Sequence, residues 1–441
     1  MTYQETLKYI YDAMPMFQRI GQLAYKADLT TTLLLDNYFK HPHSCFKSIH
    51  IAGTNGKGSV SHLLASILQE AGYKTGLYTS PHLVDFRERI RVNGKMISKK
   101  YVTYFVNEHK HYFETLKPSF FELTLAMAFE YFKYKKIDIA IIETGLGGRL
   151  DSTNIVTPEL SIITNIGFDH TDILGNSLSL IAMEKAGIIK NNIPIIVGKT
   201  QSETKNIFKS IAKEKNATLI FADKVYKSDY STLSLDNFQI FHIYKNKIQC
   251  YTDLKCPLMG MYQNENICTA LVSIEQLIKQ GFKISNTDIY NGVKNVISNT
   301  NLQGRWQITN HSPLTICDTG HNEDGIKQVT NQLKNTPYKK LHIIFGVVKD
   351  KNIEKILPLL PKEAIYYFTK ASIPRALDEK ELYNKAKGLK LNGSSYNSVK
   401  NAYKEAVKNA KPDDLIFIGG STFIVADFLF YINSQKNTPK Y

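Results

Sequence analysis

Cysteine is scarce and unpaired in this chain of 441 residues. Cys45, Cys250, Cys256, Cys268 and Cys317 form an odd set with no C-x-x-C spacing. That pattern excludes a disulfide-stapled scaffold and a cysteine zinc site, and points to reduced thiols in a cytosolic compartment. Long apolar runs are missing too: segments such as 139–142 fall far short of the roughly 20 residues that span a bilayer. The N-terminal MTYQETLKYIYDAMPMF carries Glu5 and Asp12 and lacks an apolar h-region, so no signal peptide is expected. Acid is outnumbered, 40 Asp+Glu against 55 Lys+Arg, leaving a formal net charge of +15. Such a balance raises nucleic-acid or membrane-surface contact. The cationic segments 133–136 (KYKK) and 339–340 are nevertheless short and scattered, and no RNA-binding motif or tandem aromatic platform accompanies them. The excess is read as lysine spread over solvated faces, with neither nucleic acid nor membrane as a partner.

What is present is ordinary globular material, 43% hydrophobic and 22% charged. At roughly 100–200 residues per domain, the length predicts two domains, or three at most. Strands and helices alternate. Lys47–Ala52 reads as a strand, 60–71 as a helix with Gly72 at its C-cap, and 76–79 as a strand ending at Ser80-Pro81. An apolar helix at 120–132 precedes a fully apolar strand at 137–142, and 160–166 and 193–197 read as further strands around a helix at 178–186. Continuous apolar strands between helices predict a parallel sheet covered on both faces. The polar, Asn-rich 292–303 is the expected linker. Beyond it strands are expected at Leu314–Cys317, Leu341–Phe345, 365–368 and 415–418, with helices including 397–409 and 423–432. The expected fold class is α/β: a P-loop-type ATPase domain with a mostly parallel sheet (1–298), then a smaller Rossmann-like α/β domain (299–441).

The densest local signal is Gly53-Thr54-Asn55-Gly56-Lys57-Gly58-Ser59, between a strand and a helix. Glycines let backbone amides curl around phosphate oxygens, the helix N-terminus adds partial positive charge, and Lys57 supplies a cation. Gly58, between the lysine and Ser59, departs from the common G-x-x-x-x-G-K-[ST] pattern. Polar residues follow the other apolar strands: Ser80 with His82, Glu143, and Asp169 with His170. In open α/β sheets the ligand crevice lies outside the carboxyl ends of the strands, where these groups could converge as partners of Mg²⁺. A second dense motif runs from Glu143 to Asn154, with three glycines within four residues, and implies an unusual close-approach backbone.

Together IAGTNGKGS, TSPH (79–82), ETGLGGRLDSTN (143–154) and DHTDILG (169–175) resemble the folylpolyglutamate synthase/dihydrofolate synthase family of the Mur ligase superfamily. EKAGIIK (184–190), Gln263 with Asn266, Gly304-Arg305 and DTGHN (318–322) continue the resemblance in order, over about residues 20 to 430. It implies an ATP-dependent ligase that phosphorylates a folate or dihydropteroate carboxylate to an acyl phosphate, which the amine of L-glutamate then attacks. It also implies roles. Asn55, Gly56, Lys57, Gly58 and Ser59 would hold the ATP phosphates, with Asn266, Arg305 and Asp318 on the nucleotide between the domains. Ser80, Glu143 and His170 would bind Mg²⁺, at two sites, and Lys185 would be a carbamylated lysine. Lys57, Glu143, His170 and Lys185 are thus the catalytic candidates. His321 and Ser421 would lie near the incoming glutamate, while Phe121, Glu122, Leu150 and Asp151 would line the pteridine pocket.

Phe121 has an equally good reading as part of a plain core helix. Two departures stand out: TGHN replaces G-A-H-N, and Gln307 stands where an acidic residue often follows Gly-Arg. A cytoplasmic monomer is expected. The competing readings are a Mur-type ligase with a UDP-linked acceptor and a nucleotide switch or nucleic-acid-binding protein. The 52 residues before Gly53 are too few for a UDP-binding domain.

Overall fold

A computed structural model describes residues 1–16, 21, 28–228, 232–233, 236 and 238–436. The chain separates into two compact units. One comprises Met1–His82, Arg87–Pro257 and Tyr262–Leu302; the other comprises Leu83–Phe86, Leu258–Met261 and Gln303–Tyr441. Both are α/β.

The first unit is built on β1 (Lys47–Ala52), β2 (Thr75–Tyr78), β3 (Ile90–Val92), β4 (Lys95–Met96), β5 (Ile139–Glu143), β6 (Leu160–Ile163), β7 (Ile195–Val197) and β8 (Leu219–Phe221). Their order across the sheet is β4-β3-β2-β5-β1-β6-β7-β8. Pairing is parallel from β2 to β8, and only the β2-β3-β4 edge is antiparallel. After β1 the chain fills β2 and then β5 on one side, and β6 to β8 on the other. The strand order therefore reverses at β1, the place where doubly wound sheets open a crevice.

The Lys57–Glu70 helix lies against this sheet, with Ser59 to Leu68 buried without a break. It lacks a polar face because it is packed between β2 and β5 on one side and the Gln263–Lys279 and Asn286–Lys294 helices on the other. Each of its buried leucines, isoleucines or valines contributes about 1.5–3 kcal/mol. The expected linker is mostly helical, and the division between the units falls at its end, between Leu302 and Gln303. Residues 292–303 include the end of the Asn286–Lys294 helix and the Val296–Thr300 helix. Their polarity is consumed internally: Asn299 Nδ2 donates to Ser66 Oγ (3.1 Å) and Glu70 Oε1 (2.7 Å), and Ser66 Oγ donates to the Gly292 carbonyl (2.6 Å). Asparagines that cap and bridge helices look in sequence like asparagines in a loop. The first unit also carries a small antiparallel sheet of β9 (Lys227–Ser228), β10 (Thr232–Leu233), β11 (Gln239–Lys245) and β12 (Ile248–Cys256).

The second unit contains β13 (Gln307–His311), β14 (Leu314–Cys317), β15 (Leu341–Phe345), β16 (Ile365–Thr369), β17 (Gly393–Tyr396) and β18 (Leu415–Gly419), in the order β13-β14-β18-β15-β16-β17. All pairs are parallel except β13 with β14. The four strands expected from apolar runs are its centre. The unexpected β13 and β17 are edge strands, solvated on one side, whose polar sequences (QITNH and GSSY) carry no apolar run.

All five cysteines are free. Among the described residues no helix is long and apolar enough to cross a membrane.

Candidate active site

The Gly53–Ser59 segment turns from β1 into the Lys57–Glu70 helix between the carboxyl ends of β5 and β6. Gly56 sits at the helix N-cap in the left-handed region (φ 85°), and no side chain caps the helix there. A Cβ at Gly56 would overlap Asn266 Oδ1, so both its dihedral and its neighbour demand glycine. Asn266 Nδ2 donates to Gln263 Oε1 (2.8 Å), and Gln263 Nε2 donates to Ser59 Oγ (3.2 Å). The end of β6 braces the loop from the other side. Asn55 N–H donates to Asn165 Oδ1 (2.9 Å), Thr164 Oγ1 donates to the Asn55 carbonyl (2.6 Å), and Thr54 N–H donates to the Asn165 carbonyl (3.0 Å). Thr164 and Asn165 escaped sequence reasoning, although a polar pair after an apolar strand is the same signal that singled out Glu143. Gln201, which pairs with both backbone groups of Ile166 (3.0 and 2.8 Å), left no signal at all.

Two lysines meet at the Gly53 carbonyl. Lys57 Nζ donates to it at 2.9 Å and Lys185 Nζ at 3.0 Å. Lys185 is only 4% exposed, and burial together with the Lys57 charge pulls its ammonium down from 10.5 to about 7, against the pull of Asp169 and Asp151. A lysine at this pKa is substantially a neutral amine near neutral pH. Glu143, the last residue of β5, is buried and accepts from the Ser80 backbone N–H (3.3 Å). His170, in a left-handed conformation at the start of the Thr171–Leu174 helix, has its N–H bonded to Asp169 Oδ1 (2.9 Å). Ser80 and Glu143 are thus brought together. Among the described residues no three His, Cys, Asp or Glu side chains converge as a metal cage.

The Glu143–Asn154 motif folds onto the helix that carries Lys185. Arg149 N–H donates to the Glu184 carbonyl (2.7 Å) and its guanidinium Nη2 to Glu184 Oε1 (2.8 Å). Asn154 Nδ2 donates to the Arg149 and Gly187 carbonyls (both 3.0 Å). A Cβ at Gly148 would press into the backbone of Glu184 and Lys185, so the two motifs are halves of one contact. Leu150 is half-buried. The Phe121 ring lies against Gly145 and 5.7 Å from Tyr78, at the rim of the glycine loop rather than in a remote core. Glu122 and Asp151 already hold structure. Glu122 Oε2 accepts from Ser119 N–H (2.6 Å) in a capping box. Asp151 accepts from Leu146 N–H (2.7 Å), Thr153 N–H (3.0 Å) and Thr153 Oγ1 (2.5 Å), and burial raises its pKa.

In the second unit, Arg305 Nη1 donates to the Gly304 carbonyl (3.2 Å) and to Thr319 Oγ1. Asp318, buried, accepts from Trp306 N–H (2.7 Å) and Gly320 N–H (2.8 Å), and so ties the 304–306 turn to the end of β14. Gln307 Oε1 accepts from Gly304 N–H (2.8 Å), preserving the acceptor an acidic residue would offer. His321 Nδ1 lies 3.0 Å from the Thr319 carbonyl, which can only accept. Nδ1 therefore carries a proton and donates it to that carbonyl. Ser421 is buried, and its Oγ accepts from Phe423 N–H (3.2 Å).

Two family models match, the Mur ligase middle domain over residues 51–274 and the Mur ligase glutamate ligase domain over residues 304–422. The two α/β units are accordingly those of a Mur-type ATP-dependent ligase. Over 406 residues the chain is 33% identical to the dihydrofolate synthase/folylpolyglutamate synthase of Bacillus subtilis, covering 88% of this chain and 90% of the relative. A structure of Escherichia coli FolC in complex with DHPP and ADP superposes with a TM-score of 0.85 at 29% identity, covering 99% of both chains. A bifunctional folylpolyglutamate synthase/dihydrofolate synthase with Mn, AMPPNP and L-glutamate bound superposes with a TM-score of 0.83 at 27% identity, covering 98% of both. The chain belongs to the dihydrofolate synthase/folylpolyglutamate synthase family, whose members are ATP-dependent glutamate ligases.

Proposed function

We propose that the chain adds L-glutamate both to dihydropteroate and to reduced folates, each time through an acyl phosphate. The observation that carries this reading is the Gly53–Ser59 loop, uncapped at its helix and flanked by Glu143 and the near-neutral Lys185. In this reading residues 1–298 handle ATP and 299–441 the ligation. Asn55, Gly56, Lys57, Gly58 and Ser59 receive the triphosphate, and Lys57 exchanges its bond to the Gly53 carbonyl for the transferred phosphoryl group. Asn266, Arg305 and Asp318 address the rest of the nucleotide.

In this reading Ser80, Glu143 and His170 would hold a divalent cation. One carboxylate with a hydroxyl and an imidazole suits Mg²⁺, which takes few protein ligands and keeps its waters. When bound, it supplies charge neutralisation at the phosphoryl oxygens. Lys185 fits carbamylation, because only a neutral amine adds CO₂ and its burial delivers one. Phe121 and Leu150 flank the pterin, with Glu122 and Asp151 shaping the wall, and His321 and Ser421 orient the incoming glutamate. The free thiols agree with a cytoplasmic setting.

Glutamate-dependent phosphate release, measured with dihydropteroate and tetrahydrofolate as separate acceptors, tests the proposal. Turnover of both supports it. Turnover of one alone reduces it to a single activity, and turnover of neither refutes it.

A further inference from the structure

Beneath the glycine loop lies a hydrogen-bond chain that reaches the centre of the sheet. His50, the fourth residue of β1, is fully buried, and its Nε2 stands 2.8 Å from Thr153 Oγ1. Thr153, also fully buried, donates that hydroxyl proton to Asp151 Oδ1 (2.5 Å). A hydroxyl has one proton, so the contact with His50 must run the other way: His50 Nε2–H donates and Thr153 accepts. That fixes the histidine tautomer. Its Nδ1 bears the lone pair and has no partner among the described residues. Burial, aided by the Lys190 charge, holds the imidazole neutral, lowering its pKa to about 3.

The far end of the chain meets the loop. Asp151 takes Leu146 N–H on its second oxygen, and so sets the path of the 145–148 backbone against which the Phe121 ring packs. A buried imidazole with one unsatisfied nitrogen is expensive where leucine or valine would fill a sheet interior. The directional chain gives it a task.

We infer that His50 and Thr153 are positioning residues for the pterin-bearing acceptor, acting through Asp151 to hold the 145–151 loop. Both are fully buried and act through Asp151. The inference rests on the proposed glutamylation of pterin acceptors and deepens it.

The test compares Thr153→Val and His50→Leu with Thr153→Ser and His50→Gln. The serine keeps the hydroxyl, and the glutamine amide can place a donor where Nε2–H stands. Initial rates of phosphate release are taken against dihydropteroate, ATP and glutamate separately. Thr153→Val and His50→Leu are expected to raise the KM for dihydropteroate about tenfold, with the KM for ATP and for glutamate within about twofold of wild type. Thr153→Ser and His50→Gln are expected to restore the acceptor KM. An unchanged acceptor KM in a folded Thr153→Val overturns the inference. So does a uniform loss of activity across all three substrates, which would mark a purely structural role. Should Thr153→Val not fold, Thr153→Ser and His50→Gln decide: a tenfold acceptor defect in both refutes the chain as drawn. Failure of the wild-type enzyme to use any pterin acceptor would instead sink the proposed function itself.

Discussion

Replacing Lys185 by methionine tests whether the buried amine is neutral near physiological pH. The unfolded chain keeps this ammonium to about pH 10.5, whereas burial releases the proton near 7 in the folded protein. Between those values the unfolded state holds more protons, so wild-type stability rises with pH and falls as pH drops toward 7. Below 7 both states are charged and the contribution is flat. The full window corresponds to about 1.4 kcal/mol per pH unit, so moving from about pH 7.5 to about 9 stabilises the wild type by about 2 kcal/mol through this one group. The thioether introduced by Lys185→Met has no such dependence, and the two pH profiles should diverge by that amount. The assay is urea unfolding of both proteins at the two pH values in CO₂-free buffer, which leaves the amine free to titrate. Readmitting CO₂ should then raise wild-type turnover and leave the Lys185→Met variant inactive. At pKa 7 about three quarters of the amine is neutral at pH 7.5, against about one part in a thousand for an ordinary lysine. Parallel stability profiles would refute the reasoning, because they would mean the Lys185 charge stays hydrated or paired.

Lys57→Ala and Glu143→Ala are each expected to abolish turnover while the thermal unfolding midpoint stays close to wild type; near-normal rates would remove them from the site. Gly56→Ala must adopt φ near +85° at a cost of about 1–2 kcal/mol and displace Asn266. ATP titrations should show about a tenfold higher KM. Gly292→Ala should lower the unfolding midpoint by an amount equivalent to about 1–3 kcal/mol without altering KM values, since its Cβ would collide with Ile67. Ser119→Ala removes the acceptor for Glu122 N–H and should cost about 1 kcal/mol, read by denaturant unfolding.

The apolar strands were legible because their burial on both faces leaves no choice of residue type. Leu314–Cys317 and Leu341–Phe345 match strands to the residue, and Glu143 ends its strand as read. The 53–59 glycine loop was legible for a similar reason, since its glycines answer to backbone geometry alone. Edge strands such as β17 and the helices within 292–303 were not, because solvated backbone and helix-bridging asparagines share the composition of loops. Nor could local pattern show that Asp151 and Glu122 also brace backbone N–H groups.

Sequence alone therefore determined the alternation of elements, the position of the 53–59 glycine loop and the chemical kinds of group at the strand ends. Tertiary structure decided what depends on distance and burial. It put two lysines on the Gly53 carbonyl, pressed the glycine loop onto the Lys185 helix and ran His50 through Thr153 to Asp151. A pKa or a hydrogen-bond direction belongs to a neighbourhood, and residues 50, 151 and 185 become neighbours only when the sheet forms.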